Sequence, residues 1–203
     1  MDCWSVATRE LADRDPVMAE LISMAGTAAL ATRGDAFSTL ARSIVGQQIS
    51  VKAADTVWMR LSSRVSPFNP QTVVQIGQEG LAGCGLSQRK IEYLSDLSAR
   101  FVSGAVQPQS WSGMDDEAVI QALCEIRGIG RWTAEMFLIF NLLRPDVFPL
   151  DDIGLQRAVA RRYCAGEKPS RAQHREIGER WRPWRSIATW YLWRDLDPVP
   201  VAY

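Results

Sequence analysis

A glycine turn, Gly128-Ile129-Gly130, separates two helical patterns, and a pair of acids, Asp151-Asp152, follows at a short remove. No other stretch restricts the fold as much. From Leu123 to Arg157 the chain reads LCEIRGIGRWTAEMFLIFNLLRPDVFPLDDIGLQR. A helix ends, the chain turns, and an apolar helix runs from Trp132 to about Leu143. An extended piece, 147–150, then delivers the two carboxylates to the head of a further helix. Glycine reaches positive φ at little cost and lets backbone come close to another group. Ile129 between the glycines is an apolar peg for the turn. The helix that starts just beyond points its unbonded N–H groups and the positive end of its dipole outward, which makes a phosphate seat. A helix C-cap followed by a new helix explains the glycines equally well when they are taken alone.

The rest of the chain is written in the helical period. Asp15-Pro16 opens a helix over 16–31. Asp35 caps the next, in which Phe37, Leu40, Ala41, Ile44 and Val45 fall at i, i+3, i+4, i+7 and i+8. Gly46-Gln47-Gln48-Ile49-Ser50 breaks that pattern. Ser50 caps a helix with Val51, Ala54, Trp58 and Leu61 on one face. Helices follow over 71–77 and 87–103, the second carrying Ile91, Leu94, Leu97, Ser98 and Phe101. Asp115 or Asp116 starts another, with Val119, Ala122, Leu123 and Ile126 inward. A helix runs from Ile153 to Tyr163, and Ser170 caps the next. Pro183 suits the first turn of the last helix, which runs through Trp193. His174 falls in a polar helix and reads as a surface residue. No segment alternates in the period of a strand and no repeat is found, so the fold class is all-α.

Composition narrows the function. Hydrophobic residues make up 47% of the 203, ample for a packed core. The longest apolar runs, such as Met136 to Phe140, are far too short to span a bilayer. The acidic start, MDCWSVATRELADRD, lacks a signal-peptide core, so a cytoplasmic protein with no membrane partner is expected. A monomer is a separate expectation. Cys3, Cys84, Cys124 and Cys164 are scattered with no CxxC pair, the pattern of reduced thiols rather than of a zinc or iron–sulfur site. The net charge is zero, but it is unevenly spread. Residues 1–126 carry 10 Lys and Arg against 14 Asp and Glu, while residues 127–194 carry 13 against 7. A basic excess that begins at the turn can steer a polyanion.

Three stretches, in order, resemble a known family. IRGIGRWTAEMFL followed by DVFPLDD resembles the helix-hairpin-helix DNA glycosylases, nearest the 3-methyladenine DNA glycosylase II type. FSTLARSIVGQQISVKAA resembles that family's segment that reaches into the duplex, and ERWRPWRSIATWYLW its C-terminal tryptophan helix. The likeness covers roughly Phe37 to Trp193. It implies a single glycosylase domain over 1–203, open to division into two helical lobes with a cleft between them, with the hairpin at 123–133.

The site follows residue by residue. Asp152 matches the catalytic aspartate, with Asp151 as a helix cap; the plain alternative is that both merely cap the helix. Trp132 and Trp193 match the aromatics of the base pocket, and Met136 joins them where relatives can carry an aromatic. Gly128, Ile129, Gly130, Arg131 and Thr133 would hold a DNA phosphate. Gln48 stands at the tip of the wedge loop, beside Gln47, where relatives often place an apolar side chain. Carbonyls of Cys124, Ile126 and Ile129 would hold a monovalent or other metal ion; no cofactor is required otherwise. Lyase members carry a Schiff-base lysine where this chain has Trp132. The implied activity is therefore hydrolytic removal of alkylated purines from double-stranded DNA in base-excision repair, with base flipping and no strand cleavage. The alternative is a non-catalytic hairpin module that recognises damaged or structured DNA. A lyase acting on mismatched or oxidised bases is disfavoured by Trp132 and by the absence of a cysteine cluster.

Overall fold

The computed structural model describes residues 3–26, 29–32 and 34–197. They form helices joined by short loops, with no strand among the described residues. The elements are α1 (Cys3–Arg14), α2 (Pro16–Ala25), α3 (Ala36–Gly46), α4 (Val51–Arg64), α5 (Pro70–Leu81), α6 (Gln88–Val102), a 3-10 turn (Pro108–Gly113), α7 (Asp116–Cys124), α8 (Arg131–Phe140), α9 (Ile153–Tyr163), α10 (Arg171–Glu179) and α11 (Arg185–Leu196). Side-chain caps start many of them. Asp15, Asp35, Ser50, Asn69, Ser87, Asp115, Asp152 and Ser170 each accept a hydrogen bond from a first-turn N–H. Such a cap contributes about 1 kcal/mol.

The chain divides into two compact units. One takes the N-terminal segment to Thr32 together with the chain from Leu138 onward; the other takes the segment that ends at Phe137. In the first, α1, α2, α9, α10 and α11 bury Leu11, Met18, Leu21, Leu155, Val159, Ile177, Trp181, Trp190 and Leu192. Trp184 packs against this core, and its indole N–H donates to Glu10 at 2.8 Å. In the second, α3 buries the five residues of its stripe, Phe37 to Val45. The Phe37 ring packs 5.4 Å from Phe68 and 5.3 Å from Phe101.

Several expectations change. α1 was not anticipated; its Ala7 and Leu11 are fully buried. α2 ends at Ala25 instead of continuing to residue 31; residues 27 and 28 lie outside the described set, and 29–32 are not helical. Val51 is the first residue of α4 and is 49% exposed, so only the later part of that face reaches the core. α5 runs on to Leu81 across a break at Gly77. α8 stops at Phe140, because the Arg144 N–H bonds the Leu138 carbonyl at 2.9 Å. Leu143, inside this closure, is left-handed at φ 52°, where glycine is usual. Pro183 lies outside α11. It sits in the turn closed by the Trp184 N–H on the Trp181 carbonyl at 2.7 Å, and the helix begins at Arg185. His174 is 2% exposed, packed edge-on against Phe148 at 5.0 Å, and is not a surface residue. The four cysteines are free thiols. No helix among the described residues is long and apolar enough to cross a membrane.

Candidate functional site

The hairpin is built from the end of α7, the turn and the start of α8. The Ile126 N–H bonds the Leu123 carbonyl at 3.1 Å, and the Ile129 N–H bonds the Ile126 carbonyl at 3.0 Å. Ile126 and Ile129 are 1% and 4% exposed, so both peg the turn to the interior. Gly128 takes φ 86°, and a Cβ there would overlap the Tyr93 ring from α6. The Gly130 carbonyl accepts the first ladder bond of α8, from the Ala134 N–H at 3.0 Å. Gly130, Arg131 and Trp132 are exposed, so the first backbone amides of α8 lie at the surface of this unit.

The expected phosphate ligands divide. The Arg131 guanidinium holds both Glu117 oxygens at 2.8 Å and Glu135 at 3.0 Å. The Glu117 bond holds the guanidinium proton still more tightly, and the bond from Arg131 in turn lowers the pKa of Glu117. Arg131 is thus a brace between α7 and α8 rather than an uncommitted cation. Thr133 is 8% exposed, its side chain turned into the core, which leaves its backbone as the group at the helix start. Arg127 pairs with Glu92 at 3.2 Å, and its N–H donates to Asp96 at 2.9 Å, again on α6.

The corner between α3 and α4 also belongs to this unit. Gln48 is exposed at φ 59°, a left-handed conformation uncommon for a residue with a side chain. Gln47 is half-buried, and its Nε2 donates to the Gly128 carbonyl at 2.8 Å. Lys90 Nζ donates to the carbonyls of Val45 and Gln47, both at 2.8 Å. Burial lowers the pKa of this ammonium. Of the two glutamines, Gln48 projects and Gln47 is tied down. Met136 is 3% exposed within α8, and Trp132 is 37% exposed at its start.

No cluster of three or more His, Cys, Asp or Glu side chains among the described residues could hold a metal ion. An ion at the hairpin would therefore rest on backbone oxygens. Of the three expected, the Ile126 carbonyl carries one hydrogen bond, from Ile129, and a carbonyl has a second lone pair to offer.

The carboxylates lie in the other unit. A tight turn closed by the Asp152 N–H on the Pro149 carbonyl, 2.9 Å, presents Asp152 as the cap of α9. Its Oδ1 accepts two hydrogen bonds, from the Leu155 N–H at 2.6 Å and from the Trp193 indole N–H at 2.8 Å. Asp152 is 7% exposed. Asp151 does not cap the helix; it is exposed and forms a two-pronged ion pair with Arg171 of α10. The Trp193 ring, half-buried, stacks on Phe140 at 5.7 Å and 15° between planes. A Cβ on Gly154 would lie 3.1 Å from Asp152 Oδ1 and 3.4 Å from Trp193, so a glycine lets the indole and the acid meet.

α10 backs the loop that delivers the acid. His174 hydrogen-bonds the Leu150 backbone, and Phe148 packs so close to Gly178 that a Cβ there would come within 2.6 Å of the ring. Burial pushes the His174 pKa down, partly opposed by the Leu150 bond and by Asp152. Sequence reasoning missed this support. The signal was present: His174, Ile177, Gly178 and Trp181 fall at i, i+3, i+4 and i+7, an inward stripe. Gln47, Lys90 and Tyr93 as supports of the hairpin carried no local signal.

The model of the HhH-GPD superfamily of base excision DNA repair proteins matches residues 41–183. The chain is 32% identical over 162 residues to DNA-3-methyladenine glycosylase 1 of Schizosaccharomyces pombe, covering 78% of this chain and 71% of that protein. It spans less of some other curated relatives, 59% of the length of a Bacillus subtilis protein to which it is 31% identical. Among solved structures, the DNA-3-methyladenine glycosidase of Bacillus halodurans superposes with a TM-score of 0.86 at 33% identity, over 97% of this chain and 90% of that one. The S. pombe 3-methyladenine DNA glycosylase in complex with abasic DNA superposes with a TM-score of 0.82 at 28% identity, over 97% and 98%. With 143 of its 203 residues inside the family match, this chain belongs to the HhH-GPD superfamily of base excision DNA repair proteins.

Proposed function

We propose that the protein is a monofunctional DNA glycosylase that hydrolyses the N-glycosidic bond of alkylated purines of the 3-methyladenine type. The observation that carries the reading is Asp152, pinned through one oxygen by the Leu155 amide and the Trp193 indole. A carboxylate held in this way meets developing positive charge without having to reorganise. As the bond between the sugar carbon and the base nitrogen breaks, the sugar becomes cation-like and Asp152 stabilises it. Water attacks the same carbon, and Asp152 takes its proton. One carboxylate suffices because an alkylated purine already carries a positive charge and leaves as a neutral base. The relatives' names as 3-methyladenine glycosylases support this substrate class.

The electron-rich indole of Trp193 favours an electron-poor ring, at about 0.5–2 kcal/mol for a cation–aromatic contact. Trp132 and Met136 are proposed as further base contacts. The amides that open α8 are proposed to hold a phosphate of double-stranded DNA. Backbone carbonyls of Cys124, Ile126 and Ile129 would hold a monovalent or other metal ion that adds positive charge beside that phosphate. No lysine stands in the hairpin to form a Schiff base, and Lys90 is committed to two carbonyls of the corner. Base release without strand cleavage follows.

Chromatography of bases freed from methylated duplex DNA tests the reading. Free 3-methyladenine is expected, and Asp152→Asn should lower its release roughly a hundredfold or more while DNA binding persists. Full activity in that variant would reject Asp152. Binding with no base release from the wild type would leave only a recognition module. A borohydride-trapped adduct with DNA would restore the lyase.

A further inference from the structure

The corner between α3 and α4 and the hairpin are more than 70 residues apart in sequence, yet one side chain ties them together. Gln47 Nε2 donates to the Gly128 carbonyl at 2.8 Å, across a separation of 81 residues. The carbonyl it reaches belongs to the left-handed residue that turns the hairpin, held from beneath by Tyr93. Gln47 is itself fixed at the backbone. Its N–H bonds the Ile44 carbonyl at 3.3 Å, and its carbonyl accepts from Lys90 Nζ at 2.8 Å. The next residue, Gln48, is exposed and left-handed. The chain is thus anchored three ways at residue 47 and turned outward at residue 48.

We infer that Gln47 is a positioning residue that sets the distance between the phosphate-binding amides of the hairpin and the side chain at the tip of the corner. This rests on the DNA-binding reading above. A strand gripped at the hairpin then meets Gln48 at a set offset along the duplex, where the gap left by an everted nucleotide would stand. Eversion needs such an offset, because a filler displaced by a fraction of a nucleotide step stacks on nothing. Binding to an intact backbone does not need it, since phosphates recur along every strand. Lys90 and Tyr93 act through Gln47 and Gly128, from one helix, to hold both ends of the link. The alternative is that Gln47 only satisfies a carbonyl, in which case its loss lowers stability and nothing else.

The two are separated by binding measurements that need no catalysis. Affinities for an intact duplex and for the same duplex with one abasic site are compared in the wild type, Gln47→Ala, Gln48→Ala and the double variant, with melting temperatures alongside. The wild type is expected to prefer the abasic duplex. Gln47→Ala should keep its affinity for intact duplex within about twofold and lose roughly tenfold at the abasic site. The double variant should be no worse than Gln48→Ala, because both act on one contact. Gln47→Glu, which cannot donate to Gly128, should behave as Gln47→Ala. The inference falls if Gln47→Ala lowers both affinities in step with its melting temperature or changes neither. It also falls if the two losses add, or if the wild type shows no preference. A clear preference in a wild type that frees no base would sink the glycosylase reading and leave the link intact.

Discussion

Gly128 and Gly130 stand two residues apart in one turn, and different forces act on them. Gly128 is left-handed, and a side chain there would overlap the Tyr93 ring. Gly130 has no positive φ, and a Cβ added to it would meet nothing within 4 Å. The fold therefore requires the first glycine and tolerates a side chain at the second. In the proposed phosphate site, it is close approach of the phosphate to the amides that follow that would require the second. Gly128→Ala should destabilise the protein by about 2–4 kcal/mol, from left-handed strain and overpacking together. Gly130→Ala should change stability by less than about 1 kcal/mol and weaken duplex binding roughly tenfold. Urea midpoints and fluorescence anisotropy read the two effects. Equal destabilisation by both substitutions, or intact binding in Gly130→Ala, would contradict this division.

At the scale of elements, two helices act as mounts. α6 supports the hairpin and the corner through Lys90, Tyr93 and Asp96, while α10 supports the acid-bearing loop through Arg171, His174 and Gly178. His174 makes the second mount sensitive to pH. Its Nε2 is buried without a partner, and burial is the largest of the effects that lower its pKa. Asp152, Asp151 and Arg171 are the charges that act on it. The unfolded chain, with an ordinary value of about 6.5, takes up the proton first as pH falls. Stability supplied by the neutral ring is therefore complete above that value and lost on acidification below it. The wild type should lose stability between about pH 7.5 and about pH 5.5, and His174→Gln, which has no titrating ring, should lose less. Equal losses in denaturation series at the two pH values would remove His174 as the cause.

At the scale of the molecule, the basic excess of residues 127–194 is largely paired within the protein. Arg127, Arg131, Arg162, Arg171, Arg182 and Arg185 each hold at least one carboxylate. Exposed pairs of this kind contribute little to stability, but they withdraw positive charge from a polyanion. Phosphate binding would then rest on backbone amides more than on arginine. The logarithm of the DNA association constant should fall with the logarithm of salt at a slope of roughly −1 to −3, between about 50 and about 300 mM. A slope near about −6, as the uncompensated excess would suggest, would show that the arginines exchange their carboxylates for phosphates.

Sequence alone determined what depends on neighbours a few residues away. The buried stripe of α3, the caps at Asp35, Ser50, Ser87, Asp115 and Ser170, the hairpin turn and the acid at the head of α9 are set by interactions within one or two helical turns. Each leaves a mark in local residue order. Tertiary structure decided what depends on a distant partner. Gln47 is tied and Gln48 projects because Gly128, 81 residues away, offers a carbonyl to one of two adjacent amides of the same chemistry. Trp193, expected as a stacking ring, also donates to the acid because α9 and α11 pack together and bring in an indole from 41 residues away. Arg131 serves as a brace because Glu117 reaches it, and His174 is buried because Phe148 and the Leu150 backbone meet α10. A side chain's type and spacing specify what it can donate or accept, and only the packed chain specifies to whom.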